Sequence, residues 1–193
     1  MSGTIIYMHG FASVGNSPKS QALRAAFPNS TVHSPNLPID PTKIIAVISK
    51  IVHEATEFPI VFVGTSLGGF WANYFAHKFD APCVLVNPST VPVDTMTSRI
   101  GTDIKNFSTN EPIVITDQIV AQYAELQAEA SELHNGALVH MFLAMDDCLL
   151  DYRTALVNLP YFKTIVVTAD GGHRYDAHWP LIITRIKELV SPK

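Results

Sequence analysis

Apolar residues along the chain fall into two patterns, short runs and helical spacing. The short runs cover residues 4–8, 30–34, 60–63, 81–86, 137–143 and 164–167. Between them apolar residues recur three and four positions apart, as at Ile44, Ile48 and Ile51, which is the spacing of an amphipathic helix. Strands that alternate with helices predict a mostly parallel sheet covered on both faces. We therefore expect an α/β fold with about six strands.

The predicted helices cover residues 18–26, 117–134 and 149–157, with others beginning at residues 41, 67 and about 177. Asp40 is expected to cap the second helix, and Asn135-Gly136 to end the helix over 117–134. The periodicity fails over 89–111, which predicts a long loop or small cap inserted over the carboxyl edge of the sheet. We expect a single domain over residues 1–193, with 89–134 as a cap that selects the substrate.

Composition and charge agree with this fold and exclude some functions. The chain is 47% apolar and 16% charged, a balance typical of a sheet buried on both faces. Its net charge is −4 and its 13 Lys and Arg residues form no basic run, which argues against nucleic-acid binding. No apolar run has the length of a membrane span, and the first residues lack a secretory signal. We expect a cytoplasmic protein with no membrane partner.

The sequence gives little sign of a disulfide framework or a metal site. Cys83 and Cys148 lie in or beside predicted strands, which favours buried thiols in a reducing compartment over a disulfide framework. The sequence leaves a bridge between the two open. The His, Cys, Asp and Glu residues show no metal-ligand spacing, so we expect neither a metal nor an organic cofactor.

The segment Gly64-Thr65-Ser66-Leu67-Gly68 lies between a predicted buried strand and a predicted helix. Gly-x-Ser-x-Gly in this context is the nucleophile-elbow pattern, in which a sharp turn projects the serine hydroxyl. Gly64 and Gly68 let neighbouring elements approach the turn closely. The N–H of Leu67, at a helix start, is suited to stabilise an oxyanion. Ser66 is therefore the candidate nucleophile; the alternative is a structural turn without chemistry.

The first predicted strand ends in His9-Gly10-Phe11. Loops at the carboxyl ends of parallel strands carry the ligand-binding groups of open α/β sheets. We expect Gly10 to let backbone amides face the site and the N–H of Phe11 to be the second oxyanion donor. His9 is expected to order this loop through hydrogen bonds rather than to transfer protons.

A serine nucleophile needs a histidine base, and this base needs a carboxylate that fixes its tautomer. In hydrolases with this elbow the order along the chain is serine, acid, histidine. Of the eight histidines, only His173 and His178 come late enough. His173 lies in a glycine-rich loop after the last predicted strand, whereas His178 is already at the start of the final helix. We therefore prefer His173.

Three aspartates follow the strand predicted over 137–143, namely Asp146, Asp147 and Asp151. Two adjacent carboxylates cannot both point into one site without repulsion. We expect Asp147 to be the acid, with Asp146 in contact with solvent or capping a helix.

The assembled motifs resemble those of the YqiA-like esterases, small bacterial α/β-hydrolases. The resemblance covers nearly the whole chain and rests on His9-Gly10-Phe11, Gly64-Thr65-Ser66-Leu67-Gly68-Gly69-Phe70, Asn87-Pro88, Asp147-Cys148-Leu149-Leu150-Asp151-Tyr152-Arg153 and Gly171-Gly172-His173-Arg174-Tyr175. It departs at Asp146, where the family often has glycine, and in a longer loop after His9-Gly10-Phe11. The resemblance implies a compact α/β-hydrolase and esterase activity on short-chain acyl esters, with thioesterase activity as an extension.

The hypothesis from sequence is a serine esterase with a Ser66–His173–Asp147 triad and a small-molecule substrate. One rival is an acyl-CoA thioesterase or acyltransferase, which needs a basic contact for phosphates. Its candidate contacts are Lys19, Arg24, Arg99 and Lys105. The other rival is a non-catalytic binding protein on the same scaffold, which predicts a lost triad member.

Overall fold

The computed structural model describes residues 2–133, 135 and 138–191. The strands are β1 (Thr4–Met8), β2 (Thr31–His33), β3 (Ile60–Thr65), β4 (Cys83–Val86), β5 (Ile104–Lys105), β6 (Pro112–Ile113), β7 (Val139–Ala144) and β8 (Thr164–Thr168). The helices are α1 (Pro18–Ala26), α2 (Pro41–Glu54), α3 (Leu67–Lys78), α4 (Pro92–Thr97), α5 (Asp117–Ser131), α6 (Tyr152–Asn158) and α7 (Trp179–Val190).

Among the described residues, six strands form one sheet in the order β2-β1-β3-β4-β7-β8, and every neighbouring pair is parallel. The predicted fold class is therefore confirmed. Because the carboxyl ends of parallel strands meet at one edge, the loops after β1, β3, β4, β7 and β8 share that edge. The two remaining strands, β5 and β6, form a separate antiparallel pair.

Side chains alternate across the central strands, so that each face of the sheet has its own core. On β1, Ile6 and Met8 join a cluster with residues of α2, α3 and α5. Ile5 and Tyr7 face the opposite way and pack with residues of α1 and α7. All four side chains are at most 2% exposed, which explains why the strands are continuous apolar runs.

The segment after β4 contains more regular structure than the sequence predicts. Residues 89–111, expected to be a long loop or small cap, include helix α4 and strand β5. Helix α4 is shorter than two turns and strand β5 has only two residues, so neither produces a clear periodic signal. The segment is hydrogen-bonded to the loop after β1, because Asn106 Nδ2 donates to Ser13 O (2.8 Å) and Phe107 N to Ala12 O (2.8 Å).

Three predicted helix bounds differ from the structure. Helix α6 begins at Tyr152 rather than at residue 149, because the Asp151 carboxylate caps it by accepting from Arg153 N (2.9 Å). A short 3-10 turn, Asp176–His178, precedes α7. Helix α5 ends at Ser131; its predicted last residue, 134, and Gly136 of its predicted stop signal lie outside the described residues.

Cys83 is buried and Cys148 exposed, and both are free thiols. Burial raises the pKa of the Cys83 thiol. Within the described ranges, no helix combines the length and hydropathy that crossing a bilayer requires.

Candidate active site

Ser66 stands between β3 and α3 in a strained backbone conformation, with φ 54° and ψ −124°. Three hydrogen bonds hold it there. Its N–H donates to Val86 O (3.1 Å), and its carbonyl accepts from Gly69 N (2.8 Å) and Ser89 N (2.9 Å). Its hydroxyl makes no capping hydrogen bond to α3. The backbone is therefore fixed while the hydroxyl is left available.

The glycines around Ser66 are required by close packing. A Cβ on Gly64 would overlap the carbonyl oxygen of Gly68, and a Cβ on Gly68 would overlap that of Met8. The elbow therefore sits directly against the end of β1. A Cβ on Gly10 would lie 3.3 Å from Ser66 Cβ, so the loop after β1 passes beside the nucleophile.

Two backbone amides next to Ser66 are free to bind an oxyanion. The N–H groups of Phe11 and Leu67 donate to no acceptor within the part of the chain that the structure describes. Both residues line one cavity of about 220 Å³. The N–H of Leu67 is the first amide of a 12-residue helix, where the helix dipole favours negative charge. Two free backbone N–H donors of this kind are the groups that form an oxyanion hole.

His9 is buried, at 5% exposure, and both of its ring nitrogens have partners. Nδ1 donates to Gly10 O (2.8 Å), and Nε2 accepts from Leu37 N (3.0 Å). Burial lowers the pKa of His9, against the opposing hydrogen bond to Gly10. The neutral ring connects the loop after β1 to residue 37 and has no free nitrogen for proton transfer.

His173 and Asp147 form a hydrogen-bonded pair, with 2.8 Å between Nδ1 and Oδ2. The Asp147 side chain is only 1% exposed, and its Oδ1 accepts from Leu149 N (2.8 Å) and Leu150 N (3.0 Å). Burial alone would raise the pKa of Asp147, but the hydrogen bonds from His173 and the two amides outweigh it and lower the pKa. Asp147 therefore stays ionised and orients the ring.

With Nδ1 bound to Asp147, Nε2 is the nitrogen of His173 that remains for proton transfer. Among the described residues, no hydrogen bond joins this nitrogen to Ser66 Oγ. Catalytic hydrogen bonds are often long before substrate binds and tighten in the complex. The serine and the histidine–acid pair lie at the same edge of the sheet, after β3, β7 and β8.

The competing candidates have other partners. Asp146 is exposed to solvent, as expected, and its Oδ1 also accepts from Gly172 N (2.7 Å), so that it holds the loop that carries the histidine. Asp151 caps α6. His178 Nε2 is hydrogen-bonded to Asp170 Oδ1 (3.0 Å).

Asn87 also belongs to the site, although in the sequence it was recognised only as part of the Asn87-Pro88 motif. It is 3% exposed and has a positive φ of 41°. Its Oδ1 accepts from Ala144 N (2.9 Å), and its Nδ2 donates to Gly172 O (2.9 Å) and His173 O (3.2 Å). One amide group thus connects the ends of β4 and β7 to the histidine loop. The available sequence signal was an Asn at a strand end, a residue type that tolerates positive φ.

The cavity at Phe11 and Leu67 combines an apolar wall with polar groups, and the apolar wall suits a short hydrocarbon chain. Its apolar wall is formed by Leu37, Pro38, Ile39, Ile44, Trp71, Pro112, Ile113 and Val114. Ser13, Asn106 and Glu111 add polar groups. A second cavity of about 350 Å³ is lined by Phe70, Asn73, Ser89 and residues of α5, and by none of the candidate catalytic residues.

The four basic residues considered as phosphate contacts have different surroundings. Lys19 is paired with Asp176, and Arg24 is hydrogen-bonded to Ser34. Lys105 is exposed on β5. Arg99 stacks on the ring of Phe11. Among the described residues, no group of three His, Cys, Asp or Glu side chains is placed to hold a metal ion.

Comparison with known proteins gives a consistent assignment of fold. The model of an uncharacterised protein family, UPF0227, matches residues 4–190. A UPF0227 protein of Pectobacterium atrosepticum is 28% identical over 196 residues, which cover 97% of this chain and 93% of that protein. The mouse alpha/beta hydrolase domain-containing protein 10 superposes with a TM-score of 0.73 at 15% identity, covering 97% of this chain and 89% of that one.

A monoacylglycerol lipase of Paleococcus ferrophilus has a TM-score of 0.73 at 14% identity, with 97% and 94% of the two chains covered. At such identities these likenesses establish the fold alone. The structure of this chain is an α/β-hydrolase fold.

Proposed function

The chain belongs to the UPF0227 family, as its resemblance to the YqiA-like esterases indicated, and on this premise we propose that it is a serine hydrolase that cleaves carboxylic esters. The observation that carries the proposal is the strained Ser66 elbow beside two unpaired amides, at the same sheet edge as the His173–Asp147 pair. The family match and the fold of the lipase neighbour support it.

In the first half of the reaction Ser66 Oγ attacks the ester carbonyl carbon. Its proton passes to His173 Nε2, and the ionised Asp147 stabilises the imidazolium through Nδ1. The carbonyl oxygen becomes an oxyanion that accepts hydrogen bonds from the Phe11 and Leu67 amides. His173 then returns the proton to the leaving alkoxide oxygen, the C–O bond breaks, and an acyl-enzyme on Ser66 remains.

In the second half a water molecule attacks the acyl-enzyme. His173 Nε2 takes a proton from this water and gives it to Ser66 Oγ as the acyl–serine bond breaks. The products are a carboxylic acid and an alcohol, and the enzyme is regenerated. Apart from the substrate and this water, the steps use the side chains of Ser66, His173 and Asp147 and the two backbone amides.

The substrate class follows from the cavity beside the oxyanion amides. About 220 Å³ of space with an apolar wall suits the short acyl chain of a small molecule. We further propose that residues 1–193 act as one cytoplasmic domain in which 89–134 form the cap.

Thioesters are the second substrate class, since the same acyl-enzyme chemistry applies and the Arg99 cation lies against Phe11.

The decisive experiment is intact-mass labelling with a serine-directed fluorophosphonate, followed by rates for matched short-chain esters and thioesters. Wild type is expected to gain one adduct. Ser66→Ala should gain none, and His173→Ala should be labelled much more slowly because its serine lacks a base. His178→Ala is the matched control and should be labelled at the wild-type rate.

A well-folded wild type that takes no label and hydrolyses no ester or thioester would overturn the proposal. Labelling of Ser66→Ala as fast as wild type would show that another group reacts.

A further inference from the structure

Arg99 lies immediately after α4 and against the residue proposed to supply one oxyanion amide. Its guanidinium carbon is 4.8 Å from the centroid of the Phe11 ring. The backbone of Arg99 is fixed, since its N–H donates to Met96 O (3.0 Å) and its carbonyl accepts from Thr102 Oγ1 (2.8 Å). The cation is therefore held next to the catalytic loop although it is 88 residues away in sequence.

The segment that carries Arg99 is attached to that loop by further contacts. The hydrogen bonds from Asn106 to Ser13 O and from Phe107 to Ala12 O join the two segments. Phe11 and Asn106 also line the cavity beside Leu67. Arg99 thus lies beside this cavity, against Phe11 of its lining, without lining the cavity itself.

The positive charge of Arg99 is not neutralised by the described part of the protein. No carboxylate among these residues forms an ion pair with it, whereas Lys19, Arg153, Arg174 and Arg185 each have an acidic partner. Its Nε is buried and has no hydrogen-bond partner. An unpaired guanidinium attracts an anionic oxygen group, which it binds through charge-assisted hydrogen bonds.

Three acidic residues of the site lie on the flank opposite Arg99, whereas Glu111 lines the cavity on the same side as Phe11. Asp146 and Asp147 follow β7, and Asp170 follows β8. Strands β3 and β4 lie between β1 and the pair β7 and β8, and the loop after β1 carries Phe11. A negatively charged substrate arm would be repelled by the three aspartates on their flank, whereas on the other flank Arg99 supplies an attractive cation and Glu111 the opposing carboxylate.

We propose that Arg99 binds an anionic oxygen group, carboxylate or phosphate, on the substrate of Ser66. This inference rests on the proposed hydrolase function and adds to it the class of substrate: esters or thioesters that carry such a group near the scissile carbonyl. The planar guanidinium suits this role, because it can form paired hydrogen bonds with either group while its face stacks on Phe11.

The test compares substrates with and without a negatively charged group. For the acyl arm, the nitrophenyl monoester of glutaric acid is compared with the nitrophenyl ester of its terminal carboxamide. For a phosphate on the leaving group, acetyl-coenzyme A is compared with an uncharged acetyl thioester. Wild type should favour the charged member of at least one pair about tenfold or more in kcat/KM, and this preference should shrink as salt is raised.

Arg99→Gln should remove that preference and Arg99→Lys should retain part of it, since a charge remains without the planar fork. Lys105→Gln is the matched control, because it removes an exposed cation of the same segment and should leave the preference at the wild-type value. Thermal unfolding of each variant checks that the fold is retained.

The outcomes separate this inference from the proposed function. Equal rates for charged and neutral substrates of wild type, or a preference unchanged in Arg99→Gln, would overturn the role of Arg99 while fluorophosphonate labelling of Ser66 still stood. Absence of both labelling and hydrolysis in wild type would overturn the two together.

Discussion

The side-chain amide of Asn87 donates to the carbonyl oxygen of His173 across 3.2 Å, and to that of Gly172 across 2.9 Å. These residues are 86 and 85 positions apart in sequence. The backbone of the candidate base is thus anchored to the end of β4, next to the strand that leads into Ser66. Together with the Asp146 carboxylate, which accepts from Gly172 N, this amide fixes the base relative to the nucleophile.

Asn87→Ala should therefore impair catalysis more than substrate binding. Without the amide, the buried N–H of Ala144 loses its partner, at about 1–3 kcal/mol of unfolding free energy, and the half-buried carbonyls of Gly172 and His173 lose theirs at a smaller cost. Displacement of His173 should lower kcat about 100-fold with little change in KM. Steady-state kinetics and urea unfolding provide the measurements. Asn158→Ala removes an exposed amide bonded to Thr90 and is the control; equal kcat values in the two variants would contradict the prediction.

The two adjacent aspartates should differ sharply in function. In Asp147→Asn the amide cannot stabilise an imidazolium and favours the wrong tautomer of His173, so kcat should fall on the order of 10³-fold or more. Asp146→Asn keeps an acceptor for Gly172 N, and kcat should fall less than about tenfold. Rates with one ester substrate decide the matter, and a larger loss in Asp146→Asn would reverse the assignment of the acid.

Ser66→Gly should be more stable than Ser66→Ala although both are inactive. The φ of 54° at this position is a strained conformation for a residue with a Cβ and is accessible to glycine. Relief of this strain should make the glycine variant about 1 kcal/mol more stable in urea unfolding. If the alanine variant were the more stable, the elbow would not be a site of backbone strain.

Gly68→Ala should destabilise the fold far more than Gly101→Ala. A Cβ on Gly68 overlaps the Met8 carbonyl oxygen, so the elbow must move away from β1, at a cost of about 3 kcal/mol or more. Gly101 has φ 71° but open space around it, so alanine there costs only backbone strain, about 1 kcal/mol. Thermal or urea unfolding of both variants measures the difference, and similar losses would be inconsistent with this packing.

His140, on β7, should make stability depend on pH. Burial, with smaller effects from Arg185 and Lys163, lowers the pKa of His140 to about 4, against about 6.5 in the unfolded chain. Between these values the unfolded chain binds a proton that the folded chain does not, so the free energy of unfolding falls as pH is lowered from about 6.5 to 4. The loss should reach roughly 2–3 kcal/mol.

Urea unfolding of wild type and His140→Gln over this range measures the effect. The stability difference between the two proteins should shift in favour of the variant as the pH is lowered. Parallel profiles would mean that His140 does not titrate as its burial predicts.

Elements that were predicted from local sequence features were predicted most accurately. The bounds of β1 and α1 were predicted to the residue, because an apolar run bounded by polar turns and a proline at a helix start are local features. Helix α4 was missed and the start of α6 was placed three residues early. Both helices are short, and contacts distant in sequence decide whether such segments are helical.

By itself the sequence determined the parallel α/β architecture and the serine turn, and it predicted the order of serine, acid and histidine, since each rests on periodicity or on a contiguous motif. Only the tertiary structure decided which aspartate faces His173, what holds its loop, and that Arg99 stacks on Phe11. Those pairings depend on the positions of loops that are distant in sequence and that the parallel strands bring together at one edge of the sheet. These positions matter to within an ångström. Hydrogen bonds and ion contacts are decided on that scale, and a linear pattern does not encode it.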